Sequence, residues 1–284
     1  MLCESGWSCE NVCTLTQEAI EHFQNKIYSY YHTHGRDLPW RRTKDPYKIL
    51  VSEVMLQQTQ VERVLHKYGQ FLQSFPTFES LEGAPLRDVL NVWHGLGYNR
   101  RAIALKKTSQ IVVQQYGGKL PADEEALRDL PGIGKATVGA IRTFAFSEPS
   151  VFVETNIRTV FLDIFLADKQ WIKDAEIYPL ISQTLDRSNP REWYYALMDY
   201  GVMLKKKHRN PSRRSAHHKK QTPFEGSNRQ LRGAILTLIR THPGISEAQL
   251  VELLRADPRA INTNLVKLEE EGFFKDKGDA FFVE

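Results

Sequence analysis

The sequence predicts an all-α protein that closes in a small mixed unit, and three observations lead there. Apolar residues recur at helical spacing through most of the first 205 residues. Breakers containing Gly or Pro fall between those runs rather than within them. Strand-like alternation is confined to "FFKDKGDAFFVE" at 273–284, where it flanks a Lys-Gly turn as in a short hairpin.

Helical spacing covers 15–30, 47–73, 86–93, 99–116, 123–130, 135–146, 156–167, 174–186 and 192–205. The breakers are "DPY" at 45–47, "GLGY" at 95–98, "YGGKLP" at 116–121 and "LPGIG" at 130–134. Past a basic stretch, Leu231, Ile235, Leu238 and Ile239 share one apolar helical face. "SEAQ" at 246–249 is a capping box, and Asp257-Pro258 supplies an N-cap and a first-turn proline. Three helices and a hairpin make a winged-helix-like domain, which serves either as a DNA contact or as a protein contact. The expected division is a tail at 1–13, a helical core at 14–204, a basic linker at 205–226 and the winged-helix-like domain at 227–284.

The 284 residues, 41% hydrophobic and 25% charged, suit one large or two modest globular domains. No long uncharged apolar run is present, so no membrane span is expected. The opening "MLCESGWSCENVC" lacks a basic region followed by an apolar stretch and is not expected to be a secretory signal. Cys3, Cys9 and Cys13 all lie there; an odd count argues against a disulfide framework and fits a reducing, cytoplasmic setting. With no fourth ligand at zinc spacing, no metal site is expected. A net charge of +4 is compatible with nucleic acid without singling it out. "KKKHRNPSRRSAHHKK" at 205–220, carrying Arg213, Arg214, Lys219 and Lys220, reads either as a solvated linker or as a binding element.

Three stretches carry chemistry. In "LPGIGKATVGA" at 130–140, Gly132 and Gly134 permit backbone angles closed to other residues and let amides approach an anion. The helix starting near Lys135 adds its positive end, so the stretch is a phosphate cradle or an ordinary helix–turn–helix joint. In "FVETNIRTVFLDIF", Glu154 precedes a helix and either caps it or supplies a partly desolvated charge that stabilises an oxocarbenium-like sugar. In "YKILVSEVMLQQTQV", Glu53 lies among Val51, Val54, Met55 and Leu56, with Gln57 and Gln60 expected along its helical face. Burial there raises a carboxyl's pKa and suits an acid; the other reading is a structural hydrogen-bond network.

The segments "LPWRRTKDPYKILVSEVMLQQTQVERV", "VWHGLGYNRRAIAL", "YGGKLP", "LPGIGKATVGAIRTFAF" and "ETNIRTV" together resemble the helix–hairpin–helix (HhH-GPD) DNA glycosylase superfamily, above all its adenine glycosylase (MutY) branch. The resemblance spans about residues 18–205 and implies a two-lobed helical core acting on an extruded nucleotide. It implies that Glu53 protonates the departing adenine, that Glu154 stabilises the sugar cation, and that Asn156 orients that carboxylate or the water. It further implies that Gln58 and Tyr98 wedge beside the opposite base, that Arg41 contacts DNA near the lesion, and that Gly132 and Gly134 grip a phosphate. The implied partner is double-stranded DNA with a mismatched or damaged base, met by a monomeric enzyme.

Four departures refine this. The family's carboxylate is normally aspartate, one methylene shorter than Glu154. Ala136 stands where bifunctional relatives carry a Schiff-base lysine, which predicts a monofunctional hydrolase. Most relatives hold an iron–sulfur cluster on four cysteines after the last core helix; "YGVMLKKKHRNPSRRSAHHKKQTPF" has none, so no cluster is expected and Arg213, Arg214, Lys219 and Lys220 are expected at phosphates instead. The winged-helix-like tail stands where the adenine branch usually carries a Nudix-like domain that recognises 8-oxoguanine on the opposite strand, and serves as a DNA contact or as a contact for a protein partner. The expected activity is release of adenine mispaired with 8-oxoguanine or guanine. The alternatives are a thymine or uracil mismatch glycosylase of the same superfamily and a non-catalytic DNA-binding protein.

Overall fold

The structure is a computed structural model that describes residues 14–207, 210–218 and 222–283; the tail at 1–13, Lys219 and Lys220 lie outside the described residues. The described chain runs through α1 (Gln17–His34), α2 (Pro46–Leu56), α3 (Val61–Ser74), α4 (Phe78–Gly83), α5 (Leu86–Trp93), α6 (Arg100–Tyr116) and α7 (Glu124–Arg128). It continues through α8 (Lys135–Phe146), α9 (Thr155–Ile164), α10 (Asp174–Thr184), α11 (Pro190–Lys207), α12 (Asn228–Thr241), α13 (Glu247–Leu254) and α14 (Pro258–Glu270). A two-stranded hairpin, β1 (Lys275–Asp276) and β2 (Phe281–Phe282), follows, so the fold is all-α apart from that hairpin. No helix among the described residues is long and apolar enough to cross a membrane.

Two compact units form. The first takes the described residues of Met1–Ile49, Ala122–Arg128 and Gly134–Lys220; the second takes those of Leu50–Pro121, Asp129–Ile133 and Gln221–Glu284.

The core of the first unit is aromatic. Phe23 of α1 meets Phe161 of α9, Phe165 at the C-cap of α9 and Trp193 of α11 edge-on, with centroids 5.6, 4.9 and 5.6 Å apart. Edge-to-face pairs of this kind add to the burial of each ring. Phe152 stacks on Tyr194 of α11 at 4.2 Å, fixing the strand-like entry to α9. Where α9 starts against α11, a Cβ on Gly201 would lie 2.3 Å from the Asn156 carbonyl oxygen. Only glycine permits that approach. Beyond α11 the chain stays fastened: Ser212 and Thr159 share a 2.6 Å hydroxyl bond, and the Ile172 amide donates to the Arg214 carbonyl at 3.0 Å.

In the second unit, Phe71, Phe75 and Trp93 pack α3 against α5. The C-terminal helices bury Ile235, Ile239, Leu250, Ile261 and Leu265 together with Phe273 and Phe281. The capping box forms between Ser246 and Gln249, and Asp257 caps α14 through the Arg259 amide at 3.0 Å. The Lys-Gly turn closes the hairpin through Lys277 N–H to Ala280 C=O at 2.9 Å. Glu271, the C-cap of α14, accepts from Arg100 of α6 and from Arg232 of α12, and Arg240 donates to Asn91 of α5 at 2.5 Å.

Two elements differ from the expectation. The run at 47–73 breaks into α2 and α3, because Gln58 takes a left-handed φ of 56° and ends the first helix. Apolar spacing continues across the break, so periodicity does not register it. The unforeseen α4 is six residues long, too short to show a period, and is started by a Thr77–Ser80 capping box.

Candidate functional site

Glu154 follows the buried Phe152 and Val153 and takes extended angles (φ −119°, ψ 176°) as the N-cap of α9. One carboxylate oxygen, Oε1, accepts the Asn156 and Ile157 amides at 2.7 and 2.9 Å. The other, Oε2, accepts the Asn156 side-chain amide at 3.3 Å. Asn156 in turn accepts a 2.8 Å bond from the Lys205 ammonium on Oδ1. Lys205 is half-buried in the last turn of α11; burial pulls its pKa down, and the Glu154 charge opposes the drop. The cap is therefore real, and it leaves Oε2 held from one side by a side chain that is itself held.

The glycine hairpin leads into α8. Gly132 has φ 78°, and a Cβ there would meet the Ala104 Cβ at 2.9 Å, so this position needs glycine twice over. Gln57 Nε2 donates to the Gly132 carbonyl at 3.1 Å and Thr108 Oγ1 to the Pro131 carbonyl at 3.1 Å, anchoring the turn. Gly134 differs from the expectation. Its angles (φ −85°, ψ 170°) are open to any residue, and it serves as the N-cap of α8 with no side-chain cap bond. A helix start without a side-chain cap keeps amide donors available to an anion. Lys135 opens α8 with its ammonium 4.4 Å from the Tyr178 ring centroid.

Glu53 belongs to α2 and is half-buried beside the fully buried Val51 and Met55. Gln57 and Gln60 do not share its helical face as expected, because α2 ends at Leu56 and Gln60 is the N-cap of α3.

Gln58 and Tyr98 are both exposed and both carry left-handed backbone angles, φ 56° and 47°. Such angles cost a side-chain-bearing residue of order 1–3 kcal/mol and persist only where surrounding structure enforces them. Here the enforcer is Arg101, which the sequence reading did not single out. Its buried guanidinium donates to the carbonyls of Val54, Met55 and Gln57 at 2.8, 2.7 and 2.6 Å, and to Gly97 at 3.0 Å. It also reaches Thr59 Oγ1 at 2.9 Å and lies over the rings of Trp93 and Tyr98. One cation thus clips the 57–60 turn to the 95–98 turn. Burial lowers its pKa to about 10.

The cationic residues expected at DNA are placed unequally. Arg41 is inside, with its side chain 7% exposed, bidentate on Asp199 at 2.8 and 2.7 Å and 4.6 Å from the Tyr195 ring centroid. It builds the core rather than facing outward. Arg214 donates to the carbonyls of Leu162 and Leu166 at 2.5 Å each, neutralising the C-terminal end of α9. Arg213 is exposed, as the expectation requires.

A family profile described as "HhH-GPD superfamily base excision DNA repair protein" matches residues 51–183. An adenine DNA glycosylase of Mycolicibacterium smegmatis is 31% identical over 279 residues, covering 91% of this chain and 94% of that protein. The chain belongs to the HhH-GPD superfamily. The HhH-GPD match takes in Glu53, Gln58, Tyr98, the hairpin, Glu154 and Asn156, and leaves Arg41, Lys205 and α12–α14 outside. An adenine DNA glycosylase of Buchnera aphidicola is 37% identical over 187 residues, 64% of this chain, and the chain spans 52% of that relative's length. Among solved structures, that of a thermostable thymine-DNA glycosylase is similar with TM-score 0.61 and 28% identity, covering 68% of this chain and 90% of that one.

Proposed function

We propose that this chain is a monofunctional DNA glycosylase that hydrolyses the N-glycosidic bond of adenine mispaired with 8-oxoguanine or guanine. Glu53 gives a proton to the departing base, and Glu154 stabilises the cationic sugar that water then captures. The observation that carries this reading is the carboxylate of Glu154, half-buried and held by three hydrogen bonds at the start of α9 in an HhH-GPD chain. A fixed acceptor aimed where charge develops costs no reorganisation during the reaction. The helix start at Gly134 and Lys135 grips a phosphate, while the strained Gln58 and Tyr98 probe the duplex opposite the extruded base.

The enzyme works on double-stranded DNA as a monomer in the cytoplasm, beside the nucleoid in a bacterium, with α12–α14 left for a protein partner. It does so without an iron–sulfur cluster. Residues 205–226 contain no cysteine, and the buried Ser212 and Ser215 offer hydroxyls already bonded to Thr159 and to the His217 amide. Hydroxyls do not replace the thiolates that bind such clusters.

A second reading, removal of thymine or uracil opposite guanine, is favoured by the likeness to the thermostable thymine-DNA glycosylase structure. Duplexes carrying A:8-oxoguanine, A:G, T:G or U:G, incubated with protein and then alkali, separate the two. Strand breaks at A are expected; breaks only at T or U would shift the assignment, and none would leave a DNA-binding protein. Glu154→Gln is expected to lower turnover by at least about a hundredfold while sparing duplex affinity.

A further inference from the structure

Within the proposed glycosylase reading, on which this rests, we infer that Lys205 is a positioning residue: its ammonium latches the Asn156 amide so that the NH2 edge, and not the carbonyl edge, faces the Glu154 carboxylate. The geometry is a three-member chain, Lys205 Nζ to Asn156 Oδ1 at 2.8 Å and Asn156 Nδ2 to Glu154 Oε2 at 3.3 Å. An asparagine side chain offers an acceptor on one edge and donors on the other, while an ammonium only donates. Rotating the Asn156 amide by half a turn would set its donors against the ammonium and its carbonyl against the carboxylate. Both contacts would turn repulsive, so Lys205 selects one rotamer of Asn156 from two.

The scaffold holds both ends of the chain. Gly201, one helical turn before Lys205 on α11, lets the start of α9 approach until a Cβ would be 2.3 Å from the Asn156 carbonyl oxygen. Lys205 sits close enough to reach Asn156 for that reason. The neighbouring Arg158 is occupied elsewhere, forked onto Asp174 at 2.7 Å through both Nε and Nη2, and does not compete for the amide. Burial of Lys205 sharpens the preference, because a half-desolvated ammonium gives up little water when it donates to Asn156.

Lys205→Met keeps the length and removes the donors. Under single-turnover conditions the base-release rate is expected to fall about tenfold, since small misplacements of a reacting group carry such costs. Affinity for a duplex holding an uncleavable substrate analogue is expected to stay the same. Lys205→Arg, again a pure donor, is expected to recover most of the rate. Asn156→Ala is expected to lose more, and adding Lys205→Met to it is expected to cost nothing further, as coupled groups behave. A full rate in Lys205→Met, or a loss that adds to that of Asn156→Ala, would overturn the inference. So would weakened duplex binding with a flatter salt dependence, which would make Lys205 a phosphate contact. Borohydride trapping of a DNA adduct on Lys205 would make it a nucleophile and equally end the latch. If the wild-type protein released no base from any duplex, the glycosylase reading would fall, while hydrogen exchange still reports on the latch itself. One Asn156 side-chain proton is expected to exchange slowly in the wild type and rapidly in Lys205→Met.

Discussion

Arg41 in the first unit and Arg101 in the second are both buried guanidiniums, and they are stabilised in opposite ways. Arg41 meets a full negative charge: Asp199, 2% exposed, accepts from Arg41 on both oxygens and from Arg36 as well. Arg101 meets no carboxylate among the described residues and is surrounded by backbone carbonyls and two aromatic faces. An ion pair neutralises a charge wherever the two partners lie, whereas a carbonyl cage exists only if the backbone is already bent to form it. The first arrangement therefore secures packing between distant segments, and the second fixes the shape of two loops.

That contrast breaks most sharply at Asp199. Replacing Asp199 by Ala is expected to cost about 3–5 kcal/mol in urea unfolding, because it strands buried cations. Burial pushes the Asp199 carboxyl up, but the Arg41 and Arg36 contacts outweigh this and hold it below the ordinary aspartate value. The unfolded chain therefore takes up its proton first as pH falls. The stability contributed by Asp199 is complete above the ordinary aspartate pKa and drains away as pH drops toward the lower, folded value. Asp199→Asn is expected to flatten that acid limb; an unchanged limb would show that the pair does not drive it.

Arg101→Met is expected to cost less, about 2–3 kcal/mol, since carbonyl acceptors rather than charges lose their partner. Its signature is local. Amide exchange is expected to quicken at 57–60 and 95–98 and stay unchanged in α9 and α11; a uniform increase would erase the distinction drawn here. Gly201→Ala is expected to cost about 1–3 kcal/mol from overpacking and to slow base release by displacing the Glu154–Asn156 end of α9. The smallest effects concern the linker. Arg213→Gln is expected to lower the salt slope of DNA binding by about one and leave stability alone. Arg214→Gln is expected to do the reverse, costing about 1 kcal/mol through the freed α9 carbonyls.

Much of the fold is written locally and is legible for that reason. The end of α5 and the start of α8 follow from their breakers, and Ser246 and Asp257 announce their helices by residue type. The Glu154–Asn156 pair is equally local, two residues apart on one helix start. What escapes the sequence is whatever joins distant segments. Asp199 and Arg41 are 158 positions apart, and Arg101 binds mostly carbonyls, which every residue has. Lys205 reads as the first residue of a charge run, although its ammonium bonds Asn156 at the start of α9. Its spacing of four from Gly201, a glycine that lets α11 come close to the start of α9, was the available clue.

Glu154 divides its labour by atom: Oε1 begins a helix by taking two backbone amides, and Oε2 takes only the Asn156 side-chain amide among the described contacts. A glutamine there still has an oxygen able to take both backbone amides, so α9 would start as before. Its new NH2 would confront the NH2 of Asn156, and the negative charge would be gone. Under the proposed function, a protein that folds and binds duplex DNA without releasing a base thus lies one amidation away. Natural selection acting on foldedness alone has no purchase against it.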